Sequence, residues 1–76
     1  MANLAFAERL REAREQSSLK AVDIARRLGV SKQLVSHWEH GRSDVSTEHL
    51  ADLAGLLGVD LTWLLTGSSS APNAAV

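Results

Sequence analysis

Residues 21–40 read AVDIARRLGVSKQLVSHWEH, and the rest of the chain is organised around them. Apolar side chains fall at Ile24, Leu28, Val30, Val35 and Trp38, with the small Ala25 between them. This spacing predicts two short helices joined by a tight turn. Gly29 tolerates the left-handed conformation that ends the first helix. Val30 anchors the turn, and Ser31 is a good N-cap for a second helix over 32–40. Val35 and Trp38 then face inward. Lys32, Gln33, Ser36 and His37 share the outer side, where no core needs them.

Upstream, Asn3 can cap a first helix running to about residue 16, with Phe6, Leu10 and Ala13 as its apolar stripe. The other faces carry Glu8, Arg9, Arg11, Glu12, Arg14 and Glu15, mostly a solvated surface of mixed sign. Gln16, Ser17 and Ser18 break the pattern, and Leu19 plugs the core before a second helix begins near Lys20. Lys20 is an odd start, because its side chain has no acceptor for the orphan amides of the first turn. Asp23 compensates in part by lying in that positive turn.

Downstream, Gly41 stops the third helix and residues 41–44 form a turn or loop. Ser46 caps a fourth helix over 47–57, whose Leu50, Leu53, Ala54 and Leu57 make a strong apolar face. Gly58 ends it, and Asp60 caps a last short helix over 61–66, closed by Gly67. Its inward set reads as Leu61, Leu64 and Leu65. That spacing leaves Trp63 off the stripe, either as a contact to a second copy or folded back to complete the core. The domain is expected to span 1–67. Residues 68–76 carry no charge and no periodicity, as in a disordered tail or linker. No segment reads as a strand, so the fold class is all-α with five helices.

The chain has 76 residues, 45% hydrophobic and 22% charged, with a mean hydropathy of -0.06. A chain this short buries only roughly 60% of its extended surface and gains from dimerisation. The absence of cysteine excludes a disulfide framework and a thiolate site. No apolar run approaches the roughly 20 residues of a membrane span. The net charge of -1 hides an asymmetry. Residues 1–43 hold all eight Lys and Arg against five acids, a balance of +3, and residues 44–76 hold four acids and no Lys or Arg, a balance of -4. A basic first half supports a nucleic-acid partner.

Arg14, residues 21–40 and the Leu-rich fourth helix together resemble a phage repressor/Cro-type helix-turn-helix domain, an XRE-like regulator. The resemblance runs from about Phe6 to Gly67. It rests on Leu19, Ile24-Ala25, Leu28-Gly29-Val30-Ser31, Val35-Ser36, Glu39 and Gly41 as a set. Residues 59–67 are also similar to the ending of such domains in longer phage-type repressors, where a linker and an oligomerising domain often follow. The implied architecture is a compact five-helix repressor-like DNA-binding domain with the helix-turn-helix at its centre.

The resemblance implies base contacts from Lys32, Gln33, Ser36 and His37. Their chemistry suits the role: Gln bridges adenine N6 and N7, Lys donates to guanine O6/N7, and Ser is permissive. The plainer alternative is that the four form a solvated helix face. Phosphate contacts are implied for Lys20, Ala21, His40, Arg42 and Ser43, which fix register rather than sequence. The chain departs from the family pattern at Lys20-Ala21, where the family usually shows a Ser or Asn cap followed by a bracing Gln. It departs again at Val45, which stands where Pro is frequent. Ala21 then offers only its backbone amide, and Lys20 a charge. Arg14 and Glu39 match a largely buried ion pair joining the first helix to the end of the third, and Trp63 is the candidate dimer contact.

The function implied is sequence-specific binding of double-stranded DNA by a transcriptional regulator, most simply a dimeric repressor on a palindromic operator. Its half-sites would lie roughly 34–36 Å apart. A second reading is a protein-interaction module, such as an antitoxin or regulatory partner. An enzyme is the weakest reading: there is no cysteine or tyrosine, no glycine-rich phosphate loop and no paired-carboxylate spacing. No cofactor or small-molecule ligand is expected, and no metal. His37 and His40 lack a third ligand nearby, and His49 reads as a lone surface histidine. The expected setting is cytoplasmic, in a bacterial or phage-encoded protein, with no membrane partner.

Overall fold

A computed structural model describes residues 4–68. Those residues form five helices and no strand: α1 (Leu4–Gln16), α2 (Ala21–Leu28), α3 (Lys32–Glu39), α4 (Thr47–Leu57) and α5 (Leu61–Thr66). The expected cap at Asn3 and most of the expected tail lie outside the described residues. Each helix donates one apolar stripe to a single core of Phe6, Leu10, Ala13, Ile24, Ala25, Val35, Trp38, Leu53, Leu57 and Leu64. Fully burying a side chain such as Leu10, Ile24, Leu53 or Leu64 contributes roughly 1.5–3 kcal/mol each. Among the described residues no helix is long and apolar enough to cross a membrane.

Three helix ends share one device. After α2, Gly29 adopts φ 72°, and the Val30 amide reaches back to the Ala25 carbonyl at 3.0 Å. After α4, the Val59 amide reaches the Ala54 carbonyl at 3.1 Å. After α1, the Leu19 amide reaches the Arg14 carbonyl at 3.3 Å, and here the left-handed residue is Ser18, at φ 61°. In each case the residue that closes the loop is apolar, and Leu19, Val30 and Val59 all pack against the core. This is the Schellman ending: it satisfies last-turn carbonyls and turns an apolar residue inward.

The helix starts differ more from expectation. Ser31 caps α3, its hydroxyl accepting the Leu34 amide at 3.0 Å, and Asp60 accepts the Thr62 amide at 3.2 Å. Ser46 holds the extended N-cap conformation but makes no capping bond; its hydroxyl pairs with His49 Nδ1 at 3.1 Å. At Lys20 the reciprocal half of a capping box forms, because the Asp23 carboxylate accepts the Lys20 amide at 2.9 Å. Lysine has no lone pair to complete the other half.

Candidate nucleic-acid interface

α2 and α3 share the most extensive helix–helix interface of the molecule, so the turn between them is held from both sides. α3 is anchored beneath by Val35, Trp38 and Glu39, which are 0%, 1% and 4% exposed. Residues one and two positions away along an α-helix face other directions. Gln33, two positions before Val35, is therefore turned outward by the burial of Val35, Trp38 and Glu39; Lys32 is the first residue of the helix, and both are exposed. Ser36 and His37 follow one turn later on the same side and are half-buried. The four residues expected to read bases therefore occupy one face, with the longer, freer pair at the N-terminal end.

The far end of α3 is tied to α1. Arg14 Nε donates to Glu39 Oε2 at 2.6 Å, and Arg14 Nη1 donates to the Leu19 carbonyl at 3.1 Å. One guanidinium thus links the end of α3, its own helix and the turn into α2. Arg11 adds a second tie, its Nη1 donating to the Glu39 carbonyl at 2.9 Å. Arg11 read as part of a solvated face in the sequence, and the structure corrects this. Its place one turn before Arg14 was the available signal. Arg9 is corrected likewise: Nε and Nη2 donate to the Leu64 and Leu65 carbonyls, both at 2.9 Å, closing the C-terminus of α5. Nothing local in the sequence marks that contact, which spans more than fifty residues.

These bonds sort the cations. Arg9, Arg11 and Arg14 are engaged with carbonyls or Glu39, whereas Lys20, Arg26, Arg27, Lys32 and Arg42 are exposed. Lys20 and Ala21 stand at the start of α2 and Lys32 at the start of α3, while Arg42 and the half-buried Ser43 follow α3. The loop there is fixed by its backbone, the Arg42 amide donating to the His37 carbonyl at 2.8 Å. Gly41 makes this turn at φ 70°, beneath Leu4; a Cβ there would lie 2.6 Å from Leu4 Cδ2. His40 is exposed but folded back, its Nδ1 2.7 Å from the Ser36 carbonyl. A carbonyl only accepts, so Nδ1 carries the proton, and Nε2 donates outward only in the imidazolium form.

His49, read as a lone surface histidine, is also corrected. It is half-buried, its ring 5.5 Å from that of Trp38, and it bonds Ser46. Among the described residues no three His, Asp or Glu side chains converge on a metal-binding geometry. The inward face of α5 is corrected as well. Leu64 is fully buried, whereas Leu61 and Leu65 are 37% and 41% exposed, and Trp63 is half-buried against the core. Neighbouring helical residues point about 100° apart. The inward direction of α5 therefore lies between Leu64 and Trp63, leaving Leu61 and Leu65 on the outer edge.

Comparison with known proteins places this geometry in a family. The helix-turn-helix family profile matches residues 10–64. The chain is 35% identical over 65 residues to the HTH-type transcriptional regulator PrtR of Pseudomonas aeruginosa, covering 86% of this chain and 25% of that protein. It is 40% identical over 60 residues to the HTH-type transcriptional regulator DdrOP3 of Deinococcus deserti, covering 79% of this chain and 46% of that protein. Among solved structures, the crystal structure of apo-HppE superposes with a TM-score of 0.75 at 31% identity, covering 84% of this chain and 36% of that one. The chain therefore spans less than half the length of these relatives. With the match running from Leu10 to Leu64, through the two-helix unit and the α5 that closes it, the chain belongs to the helix-turn-helix family as an XRE-like DNA-binding domain.

Proposed function

We propose that the chain is a sequence-specific, double-stranded DNA-binding transcriptional regulator, acting as a dimeric repressor with α3 in the major groove. Lys32 and Gln33 enter first and read base edges, with Ser36 and His37 one turn behind. Lys20, the Ala21 amide, Arg42 and Ser43 hold phosphates on either side, and His40 joins them through Nε2–H when its ring is protonated. The observation that carries this reading is the division within α3: Val35, Trp38 and Glu39 are buried beneath a face on which Lys32 and Gln33 stand exposed. A helix held still by its core and presenting long hydrogen-bonding side chains is what major-groove readout requires. The names of PrtR and DdrOP3 as transcriptional regulators support the same reading.

A dimer contact fits α5, where exposed Leu61 and Leu65 flank the edge of Trp63. Two such domains would place their α3 helices roughly 34–36 Å apart on a palindromic operator.

Selection of bound duplexes from a random pool, repeated with Gln33→Ala, tests the reading. The expected result is a two-fold-symmetric site for the wild type and lost preference at one base pair in each half-site for the variant. Binding to a chosen duplex should also fall with salt, with a log–log slope of several. No enrichment at low salt would reject DNA reading and favour the protein-interaction module, a reading kept in view by the net charge of -1.

A further inference from the structure

The last turn of a helix leaves four carbonyls without intrahelical partners. In α3 these belong to Ser36, His37, Trp38 and Glu39. The first three are satisfied from the residues that follow the helix. The His40 amide reaches the Ser36 carbonyl at 3.1 Å, the Arg42 amide reaches His37 at 2.8 Å, and the Gly41 amide reaches Trp38 at 3.4 Å. The fourth, Glu39, takes its donor from another element: Arg11 Nη1 of α1 at 2.9 Å. The Glu39 carboxylate takes Arg14 of the same helix at 2.6 Å. One residue of the recognition helix is thus gripped twice, by backbone and by side chain, from two arginines one turn apart.

We infer that Arg11 is a positioning residue for base readout, setting the pose of α3 without touching DNA. This rests on the reading of α3 as the recognition helix. Arg14 holds only the end of the glutamate side chain, which is joined to the helix through its own side-chain torsions. A bond to the Glu39 carbonyl has no such freedom, because that oxygen is part of the helix backbone. α3 is eight residues long, about 12 Å at 1.5 Å per residue. Tilt permitted at Glu39 is therefore carried through a short rigid rod to Lys32 and Gln33. Bidentate base contacts depend on donor and acceptor separations held to a few tenths of an ångström, whereas phosphate contacts made by long exposed side chains absorb such a shift. Losing the carbonyl tie should therefore cost discrimination more than affinity.

The experiment compares the wild-type chain with Arg11→Met and Arg11→Lys on two duplexes: the best sequence selected by the wild type and a scrambled one of equal length. Thermal melts first establish that each variant is folded at the assay temperature; Arg11→Gln replaces Arg11→Met, under the same criterion, if the latter is not. The expected result for Arg11→Met is a fall of about tenfold in the ratio of selected to scrambled affinity, the scale on which one base contact discriminates. Scrambled affinity should change by about twofold or less, with its salt slope kept. Arg11→Lys, which restores a donor, should recover part of the ratio. An unchanged ratio in a folded, donorless variant would overturn the inference. So would a fall on both duplexes with the salt slope reduced by about one, the mark of a phosphate contact. Failure of the wild type to prefer any duplex would instead reject the DNA reading itself.

Discussion

Glu39 is 4% exposed, and nothing in its local sequence explains a buried acid at the end of a short helix. Its explanation is the Arg14 guanidinium at 2.6 Å and the Arg11 bond to its carbonyl. A carboxylate in this position is stable only while its partners remain. Glu39→Ala leaves Arg14 half-buried without its counter-charge, and breaking such a pair costs roughly 3–5 kcal/mol. For a domain of this size each kcal/mol moves the melting temperature by about 4–8 °C. The expected fall is therefore at least about 12 °C in a circular-dichroism melt; an unchanged melt would mean that the pair does not hold the fold together. The pairing of Arg14 with Glu39 was legible only through the family resemblance. Arg11 and Arg9 were not legible, because both are drawn from a face of α1 whose composition is that of any solvated helix.

At the scale of elements, the helices announced themselves where their ends are chemically marked. Gly29 and Gly58 stand at left-handed positions that favour glycine, with φ 72° and 68°. Ser31 and Asp60 cap with their own oxygens. The unmarked joint is α1 to α2. Ser18 takes the same left-handed conformation at φ 61° without glycine's freedom, and α2 starts at a lysine. What holds the joint is Arg14 on the Leu19 carbonyl, Asp23 on the Lys20 amide, and Ser17 Oγ on the Leu57 carbonyl at 3.3 Å. A left-handed non-glycine residue costs about 1–2 kcal/mol, offset in part by the chain entropy that glycine loses on folding. Ser18→Gly should therefore raise stability by about 0.5–1 kcal/mol, read as a higher denaturant midpoint with the same m-value. A lower midpoint would show that the Ser18 side chain supports the turn.

For the whole molecule the question is what the outer edge of α5 meets. Leu61 and Leu65 are exposed by 37% and 41%, while Trp63 packs on the core and Arg9 fastens the end of the same helix. α5 is thus held as a fixed platform rather than a frayed end. In the proposed dimer Leu65→Asp places a charge in the seam and removes no buried core contact. Sedimentation of the DNA complex should then show one chain per duplex where the wild type shows two, with the dilute-solution melt within a few degrees of the wild type. Trp63→Ala should instead lower the melt, because its ring closes the core beside Leu64. A Leu65→Asp complex that still carries two chains would move the dimer contact away from α5.

Periodicity, caps and glycines in the sequence were enough to determine five helices, their order and nearly all their limits, because each is a local property of a few consecutive residues. The helix-turn-helix at 21–40, with its inward Val35 and Trp38 and outward Lys32 and Gln33, was legible for the same reason. Tertiary structure alone decided which of the eight cations are engaged with carbonyls or Glu39, that His49 leans on Trp38, and that α5 turns Trp63 rather than Leu61 or Leu65 toward the core. Those outcomes depend on pairs far apart in the chain, Arg9 with Leu64 and Arg11 with Glu39. A long charged side chain carries no local mark of whether a carbonyl from a distant helix awaits it.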